Sequence, residues 1–196
     1  MIYKISINKF NINLILSQGF LVMKKVIAIN GITGVGKSTI GKKLADKLNY
    51  YFIDSDQEIE DLLGKTINQV FADHGENYFR QIEKNLILDI MSRDEKFIIA
   101  LGGGSYMDQD TRSILQKKAL TVWLNADLET IIHRLKNKNN RPLLNGVDKR
   151  KVLANLMNKR TAIYQKSDIK IDIGKKDTEV IVEEIIRLIS KHPNAF

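Results

Sequence analysis

The sequence is poor in residues that impose covalent or rigid constraints: it has no cysteine, two prolines and one tryptophan in 196 residues. The absence of cysteine excludes disulfides, thiolate metal sites and cysteine nucleophiles. Two prolines are too few for a proline-rich linker. No segment approaches the roughly 18 consecutive apolar residues that a transmembrane helix needs. These absences predict a cytoplasmic globular protein without a membrane partner.

Arginine is scarce as well. Only eight of the 31 basic residues are arginine, so lysines scattered along the chain carry most of the formal net charge of +8. The chain lacks the clustered basic residues and basic–aromatic interleaving of nucleic-acid-binding proteins. We therefore expect small anionic ligands and no nucleic acid. Because the arginine fork suits carboxylates and phosphates, each arginine in such a chain is a candidate ligand-binding residue.

The first 22 residues differ from the rest. They are interrupted by asparagine, glutamine and glycine, and they lack the arginine and the small-residue cleavage site of targeting segments. We expect an N-terminal extension over residues 1–22, from an upstream start or disordered, with an added strand or helix as the alternative. Residues 23–196 are then a single domain, and we expect it to be monomeric.

Residues 31–38 match the phosphate-binding pattern G-x-x-x-x-G-K-[ST]. The apolar, β-branched segment before them is typical of a buried strand, and residues 39–48 have apolar side chains at helical spacing. A glycine loop between strand and helix directs backbone N–H groups at anionic oxygens. Lys37 is expected to reach the β- and γ-phosphates, and Ser38 to bind Mg²⁺. An accidental glycine-rich turn is the alternative, and the strand–loop–helix context argues against it.

Strand-like and helix-like segments alternate from residue 25 onward. Near-continuous apolar strands separated by helices indicate an α/β fold with a five-stranded parallel sheet between two helical layers. Ligands of such sheets bind beyond the carboxyl ends of the strands. The predicted strands are 26–30, 50–54, 97–101, 120–125 and 169–173. The predicted helices are 37–48, 57–63, 67–72, 76–91, 110–117, 128–135, 150–164 and 178–190.

Two aspartates follow the second predicted strand. If the chain leaves that strand as an extended segment, alternation sends the Asp54 and Asp56 side chains to the same side. Phosphoryl transfer needs one carboxylate near Mg²⁺ and another that orients or deprotonates the acceptor hydroxyl. The alternative is that Asp56 only caps the following helix.

Glycines and arginines supply further candidates. Residues 102–104 are three glycines beyond the third strand, where a ligand can approach the backbone closely, or where the chain simply turns. Arg80 lies on a predicted helix and either binds a carboxylate ligand or pairs with Glu76 or Glu83 on a solvated face. Arg141 lies in a polar segment, residues 136–149, that we expect to be a mobile loop able to close over a phosphoryl group.

Together these segments resemble the shikimate kinase family, of the nucleoside-monophosphate-kinase-like branch of the P-loop fold. The resemblance covers the chain from about residue 23 to the C-terminus. The phosphate loop is shared by many kinases, whereas the combination of motifs is specific. The motifs are residues 31–39, F-I-D-S-D at 52–56, G-E-N-Y-F-R-Q-I-E at 75–83, G-G-G at 102–104, R-P-L-L at 141–144, and Arg160 followed by Tyr164.

The resemblance implies a P-loop NTPase fold with a substrate-binding helical insertion at about residues 55–92 and a lid at about 136–149. It implies ATP as co-substrate and one Mg²⁺ ion per ATP, with Ser38 and Asp54 as metal-binding residues. Arg134 is similar to the residue that flanks adenine in the family. The implied nucleotide-binding residues are Gly34, Val35, Gly36, Lys37, Ser38, Thr39, Arg134 and Arg141.

For the acceptor the resemblance implies shikimate, bound by Asp56, Arg80, Arg160 and the glycines Gly102, Gly103 and Gly104. Asp56 would be the base, and Lys37 and Arg141 would act on the phosphates as further catalytic residues. The implied reaction is ATP-dependent phosphorylation of the 3-hydroxyl of shikimate, a step of aromatic amino-acid biosynthesis. A kinase of another small hydroxylated acid such as gluconate, and a catalytically silent nucleotide-binding module, are the alternatives.

Overall fold

The centre of the computed structural model, which describes residues 24–135 and 148–193, is a five-stranded sheet. The strands are β1 (Val26–Asn30), β2 (Tyr51–Asp54), β3 (Phe97–Ala100), β4 (Ala119–Asn125) and β5 (Ile169–Asp172). They lie in the order β2-β3-β1-β4-β5, and every neighbouring pair is parallel. Parallel neighbours require crossover connections, which helices provide here.

The helices confirm the predicted alternation, with ends that differ from the predictions by one or two residues. They are α1 (Lys37–Leu48), α2 (Ser55–Leu63), α3 (Ile67–Ile90), α4 (Gln109–Lys118), α5 (Leu128–Leu135), α6 (Lys149–Tyr164) and α7 (Thr178–Ile189). A short 3-10 turn at Ser105–Met107 precedes α4.

Strand β1 explains why the sheet is covered on both faces. All five of its residues are buried, and successive side chains of a strand point to opposite faces. Ile27 and Ile29 belong to the core cluster that includes side chains of α1 and α7. Val26 and Ala28 belong to a second cluster with side chains of α3 and α4. The three-layer α/β architecture expected from the sequence is therefore confirmed.

The insertion between β2 and β3 has a small core of its own. Ile59 of α2 packs there with Val70 and Phe79 of α3. Helix α3 contains the two helices predicted at 67–72 and 76–91, which meet at a kink where Gly75 has φ 79° and ψ 175°. The second half of α3 carries Arg80 back towards the sheet.

Some predictions fall outside the described residues. The N-terminal extension over residues 1–22, most of the lid at 136–149, and Arg141 are among them, and they stay predictions. Among the helices of the described ranges, none has the length and apolar character needed to cross a bilayer.

Candidate active site

Three segments meet at one edge of the sheet. Strand β3 lies between β1 and β2, and the three strands are parallel, so their carboxyl ends are adjacent. Strand β1 leads into the phosphate loop (residues 31–38), β2 leads into α2, and β3 leads into the glycine loop (residues 102–104). A Cβ added to Gly103 would stand 3.4 Å from the backbone nitrogen of Thr33. The glycine loop and the phosphate loop are therefore in close contact.

The phosphate loop has the geometry of an anion site. Gly36 is the N-cap of α1 with φ 103° and ψ 21°, a left-handed conformation that favours glycine, and no side chain caps the helix. The first turn can thus present N–H groups and the positive end of the helix dipole to an anion. Lys37 is buried, and its Nζ donates to the carbonyls of Gly31 at 3.0 Å and Ile32 at 3.2 Å. Its ammonium is thereby held inside the curve of the loop.

Arg134, near the end of α5, reaches the outside of the same loop. Its Nη1 donates to the carbonyl oxygen of Val35 at 2.8 Å and lies 3.2 Å from where a Cβ of Gly36 would stand. Ser38 and Thr39, in the first turn of α1, are exposed. A planar cation and two hydroxyls therefore surround the helix end that an anion would occupy.

Asp54, rather than Asp56, caps α2. The helix begins at Ser55, and Oδ1 of Asp54 accepts the backbone N–H of Asp56 at 3.1 Å. The expectation that both carboxylates leave on an extended segment is therefore wrong, and so is the alternative that Asp56 caps the helix. Asp56 lies in the first turn, and its Oδ1 is 2.6 Å from where a Cβ of Gly102 would stand. Its carboxylate consequently faces the glycine loop.

Arg80 is held by two carboxylates of its own helix. Its Nη1 lies 2.7 Å from Oε2 of Glu83, and its Nη2 lies 3.2 Å from Oε1 of Glu76. The Glu83 side chain is only 3% exposed, so Arg80 does pair with Glu83, but this pair does not lie on a solvated face. Burial lowers the pKa of Arg80, but the carboxylates of Glu83 and Glu76 more than offset this and the net pKa is raised. Arg80 therefore stays charged and fixed in direction.

Side-chain hydrogen bonds fasten the start of the glycine loop. The Ser105 hydroxyl donates to Oε1 of Glu83 at 2.6 Å, and the Gly102 N–H donates to the Ser55 hydroxyl at 2.9 Å. A Cβ on Gly102 would stand 2.5 Å from Oε1 of Glu83 and 2.6 Å from Oδ1 of Asp56. Because real Cβ contacts are longer than this, a side chain at position 102 would displace these two carboxylates.

Two donors from α6 converge on the middle of the glycine loop. The Gly103 carbonyl accepts Arg160 Nη1 at 2.8 Å and Tyr164 Oη at 2.5 Å. On the next residue, a Cβ of Gly104 would stand 2.5 to 2.7 Å from the three nearest guanidinium atoms of Arg80. Both arginines to which the resemblance assigns the acceptor therefore lie against the glycine loop.

Most of the predicted site residues lie at this edge of the sheet. The structure brings Lys37 and Arg134 to the phosphate loop, and it brings the predicted acceptor residues to the glycine loop. The latter are Asp56, Arg80, Gly102, Gly103, Gly104 and Arg160. Arg141 lies outside the described residues. Among those residues there is no group of three or more His, Cys, Asp or Glu side chains that could hold a metal ion.

Sequence reasoning missed Glu83 as a site residue. It considered Glu83 only as a surface partner, although Phe79, Glu83 and Ile87 recur at a spacing of four on one face of α3, and all three are buried. A carboxylate within an apolar helical stripe must be paired, since an unpaired buried charge is strongly unfavourable. That pattern was the available signal.

Comparisons with known proteins agree on one family. A family model described as shikimate kinase matches residues 33–190. The chain is similar to the shikimate kinase of Zymomonas mobilis, with 40% identity over 167 residues, which cover 85% of this chain and 94% of that protein. It is also similar to a solved structure of shikimate kinase from Acinetobacter baumannii in complex with shikimate. That likeness has a TM-score of 0.83 and 30% identity, and it covers 90% of this chain and 98% of that chain.

Proposed function

This chain belongs to the shikimate kinase family, and we propose that it transfers the γ-phosphoryl group of ATP to the 3-hydroxyl of shikimate through the site described above. The enzyme is an ATP-dependent kinase of shikimate, in aromatic amino-acid biosynthesis. One observation supports the residue assignments most: Asp56, Arg80 and Arg160 all contact or face a glycine loop that touches the phosphate loop. A carboxylate-bearing acceptor held there would have its hydroxyls next to the phosphate donor.

The donor half would bind ATP through the phosphate loop. Backbone N–H groups from Gly34 to Thr39 and the N-terminus of α1 would bind the phosphates. Lys37 would turn from the loop carbonyls to the β- and γ-phosphate oxygens, a short movement because its Nζ already lies inside the loop. Arg134, fixed on the carbonyl of Val35, would flank the adenine.

Mg²⁺ would be bound by Ser38, with Asp54 reaching it through water. The donor set fits this ion, because Mg²⁺ prefers hard oxygen ligands and is usually held by one or two protein groups together with phosphate oxygens. Ser38 is exposed at the start of α1, and Asp54 stands at the end of β2. The ion would neutralise phosphate charge; the chain's own residues would orient the two substrates.

Asp56 is the proposed base. Its carboxylate would bind the substrate hydroxyls and accept the proton of the 3-hydroxyl as the oxygen attacks the γ-phosphorus in line. The new O–P bond would form as the bond to the β-γ bridging oxygen breaks, giving shikimate 3-phosphate and ADP. Asp56 lies in the first turn of α2, where a carboxylate interacts favourably with the helix dipole.

Arg80 and Arg160 are the proposed partners of the shikimate carboxylate, and Gly103 and Gly104 would offer backbone N–H groups. Glu83 joins the assignment from the structure, since it fixes the guanidinium of Arg80 at 2.7 Å. Two arginines beside one loop can bind a carboxylate more selectively than a single cation, because each offers a fork of parallel donors. A neutral polyol would lack this partner.

Arg141 is proposed to close over the γ-phosphate with the lid of residues 136–149, where it would stabilise charge in the transition state. Exclusion of water by that closure would favour transfer to shikimate over hydrolysis. We further propose a cytoplasmic, monomeric enzyme without nucleic-acid or membrane partners.

A coupled assay of ADP release tests the substrate. Turnover should require both shikimate and Mg²⁺. Gluconate at equal concentration should give at least about a hundredfold less, because its open chain does not hold a hydroxyl at the fixed position that the shikimate ring gives it relative to the carboxylate. Equal turnover with gluconate would refute the substrate assignment. Binding of ATP without turnover on either acid would instead support the silent nucleotide-binding module.

A further inference from the structure

The Gly103 carbonyl has two donors, and one of them is proposed to bind substrate. Arg160 Nη1 and Tyr164 Oη both donate to this oxygen, at 2.8 and 2.5 Å. A carbonyl oxygen has two lone pairs and can accept both. When the guanidinium turns to the shikimate carboxylate, the carbonyl loses the first donor. A partly buried carbonyl left without any donor would be unfavourable, and that penalty would count against substrate binding.

We propose that Tyr164 is a positioning residue that keeps the Gly103 carbonyl hydrogen-bonded when Arg160 turns to the substrate carboxylate. This inference rests on the proposed assignment of Arg160 to that carboxylate. Tyr164 would thereby affect the affinity for shikimate. Its hydroxyl would keep the Gly103 carbonyl hydrogen-bonded, so that the release of Arg160 leaves no unpaired carbonyl. The tyrosine itself would not contact the substrate.

The same hydrogen bond would fix the direction of the next amide. The peptide group between Gly103 and Gly104 is planar and trans, so its N–H points away from its carbonyl oxygen. With the carbonyl anchored on α6 by Tyr164, the Gly104 N–H must point to the other side of the loop. Release of Arg160 would therefore not let this peptide rotate.

Tyr164 is well suited to remain in place while Arg160 moves. It is buried, and its ring stacks on that of Trp123 with 6.1 Å between the centroids. Burial raises the pKa of Tyr164 to about 12, so the hydroxyl keeps its proton across neutral and mildly alkaline pH. Arg160, by contrast, lies on a less buried part of α6.

Tyr164→Phe tests the inference with Tyr106→Phe as the matched control. Tyr106 is also buried, in the same core cluster as Tyr164, and its hydroxyl lies 3.4 Å from the Lys166 carbonyl rather than on the glycine loop. Calorimetry would measure the shikimate Kd, and steady-state kinetics would measure kcat and both KM values.

Tyr164→Phe should raise the Kd and KM for shikimate by about five- to thirtyfold, while kcat and the KM for ATP change by less than about threefold. Tyr106→Phe should leave the shikimate Kd within about twofold. An unchanged Kd in Tyr164→Phe, or an equal rise in the KM of both substrates, would overturn the inference. If the unmutated protein does not bind shikimate, the proposed function itself fails.

A second measurement avoids any folding defect of Tyr164→Phe. In Arg160→Ala the tyrosine alone should satisfy the Gly103 carbonyl, so the Tm without substrate should stay within about 2 °C of the unmutated protein. A fall of more than about 5 °C would mean that the carbonyl depends on Arg160, and the inference would be wrong.

Discussion

Replacing Gly104 by alanine should weaken shikimate binding by displacing Arg80. Gly104 has φ −104° and ψ −17°, which alanine adopts without strain. Its new Cβ, however, would stand 2.5 Å from Nη2, 2.6 Å from Nη1 and 2.7 Å from Cζ of Arg80. The substitution therefore acts on the arginine and hardly on the backbone.

The size of the effect follows from these distances. Non-bonded heavy atoms normally lie about 3.5 to 4.0 Å apart, so the guanidinium has to retreat by roughly 1 Å. Nη1 of Arg80 is bound to the buried Glu83 at 2.7 Å, and this bond must lengthen or break as the guanidinium moves. The displaced guanidinium would also lose a hydrogen bond to the shikimate carboxylate, and one hydrogen bond to a charged group is worth about 1.5–3 kcal/mol. We expect the KM for shikimate to rise about 10- to 100-fold, with kcat less affected.

Gly174→Ala is the control for the loss of a glycine as such. Gly174 follows β5, has φ +43° and has no atom within 4 Å of an added Cβ, so its substitution strains the backbone away from the site. The control should lower the Tm and leave the KM for shikimate unchanged, whereas Gly104→Ala should raise that KM, and any fall in its Tm would come from the weakened Arg80–Glu83 pair. If Gly104→Ala binds shikimate normally, Arg80 does not hold the substrate in the position proposed.

Three further substitutions test other parts of the site and fold. Asp56→Asn should keep ATP affinity but reduce transfer by about 10²- to 10⁴-fold, and near-normal kcat would exclude it as the base. Glu83→Gln should lower the free energy of unfolding in urea by about 3 kcal/mol, because it removes the buried one of the two carboxylates that hold Arg80. The exposed Glu76→Gln should change this free energy by less than about 1 kcal/mol. Asp108→Ala removes the N-cap of α4 and should cost about 1 kcal/mol at pH 7. The backbone N–H of Thr111 lowers the pKa of Asp108 in the folded state, so this stabilisation is complete above the unfolded pKa and is lost as the pH falls through the folded pKa. An equal cost at pH 7 and pH 3 would contradict that origin.

The architecture was predictable because the pattern of apolar residues determines where helices and strands form. Every residue of β1 is buried, and the sequence there is an uninterrupted apolar run apart from its last residue. Strand β5 reads apolar–polar–apolar–polar and is buried in the same alternation. The order of the strands in the sheet, in contrast, depends on long-range pairing that local periodicity does not encode.

The start of α2 was not predictable, because Asp54 and Asp56 have equal capping chemistry. Pairing with β3 decides between them. The last register pair of these two strands is Asp54 with Ala100, and the helix begins at the next residue. The cap therefore falls on the residue at which the strand ends, a position that only the partner strand sets.

The burial of Glu83 has the same kind of origin. Arg80 has carboxylates at both helical neighbour positions, and only the apolar stripe that Phe79 and Ile87 form with Glu83 distinguishes Glu83 from Glu76 in the sequence. In the structure the difference arises from the segment after β3, whose Ser105 donates to Glu83 and covers it. A charge pair that would be peripheral on an isolated helix thus becomes part of the site.

The strand order also explains why the loop after β3 consists of glycine. With β3 between β1 and β2, this loop has to lie between the phosphate loop and the residues proposed to bind the acceptor. A Cβ at position 102 would displace Asp56 and Glu83, and one at 104 would displace Arg80. Side chains in this loop would therefore displace the groups proposed to act on the substrate. Without side chains, the loop backbone can contact these groups and still lie close to the substrate.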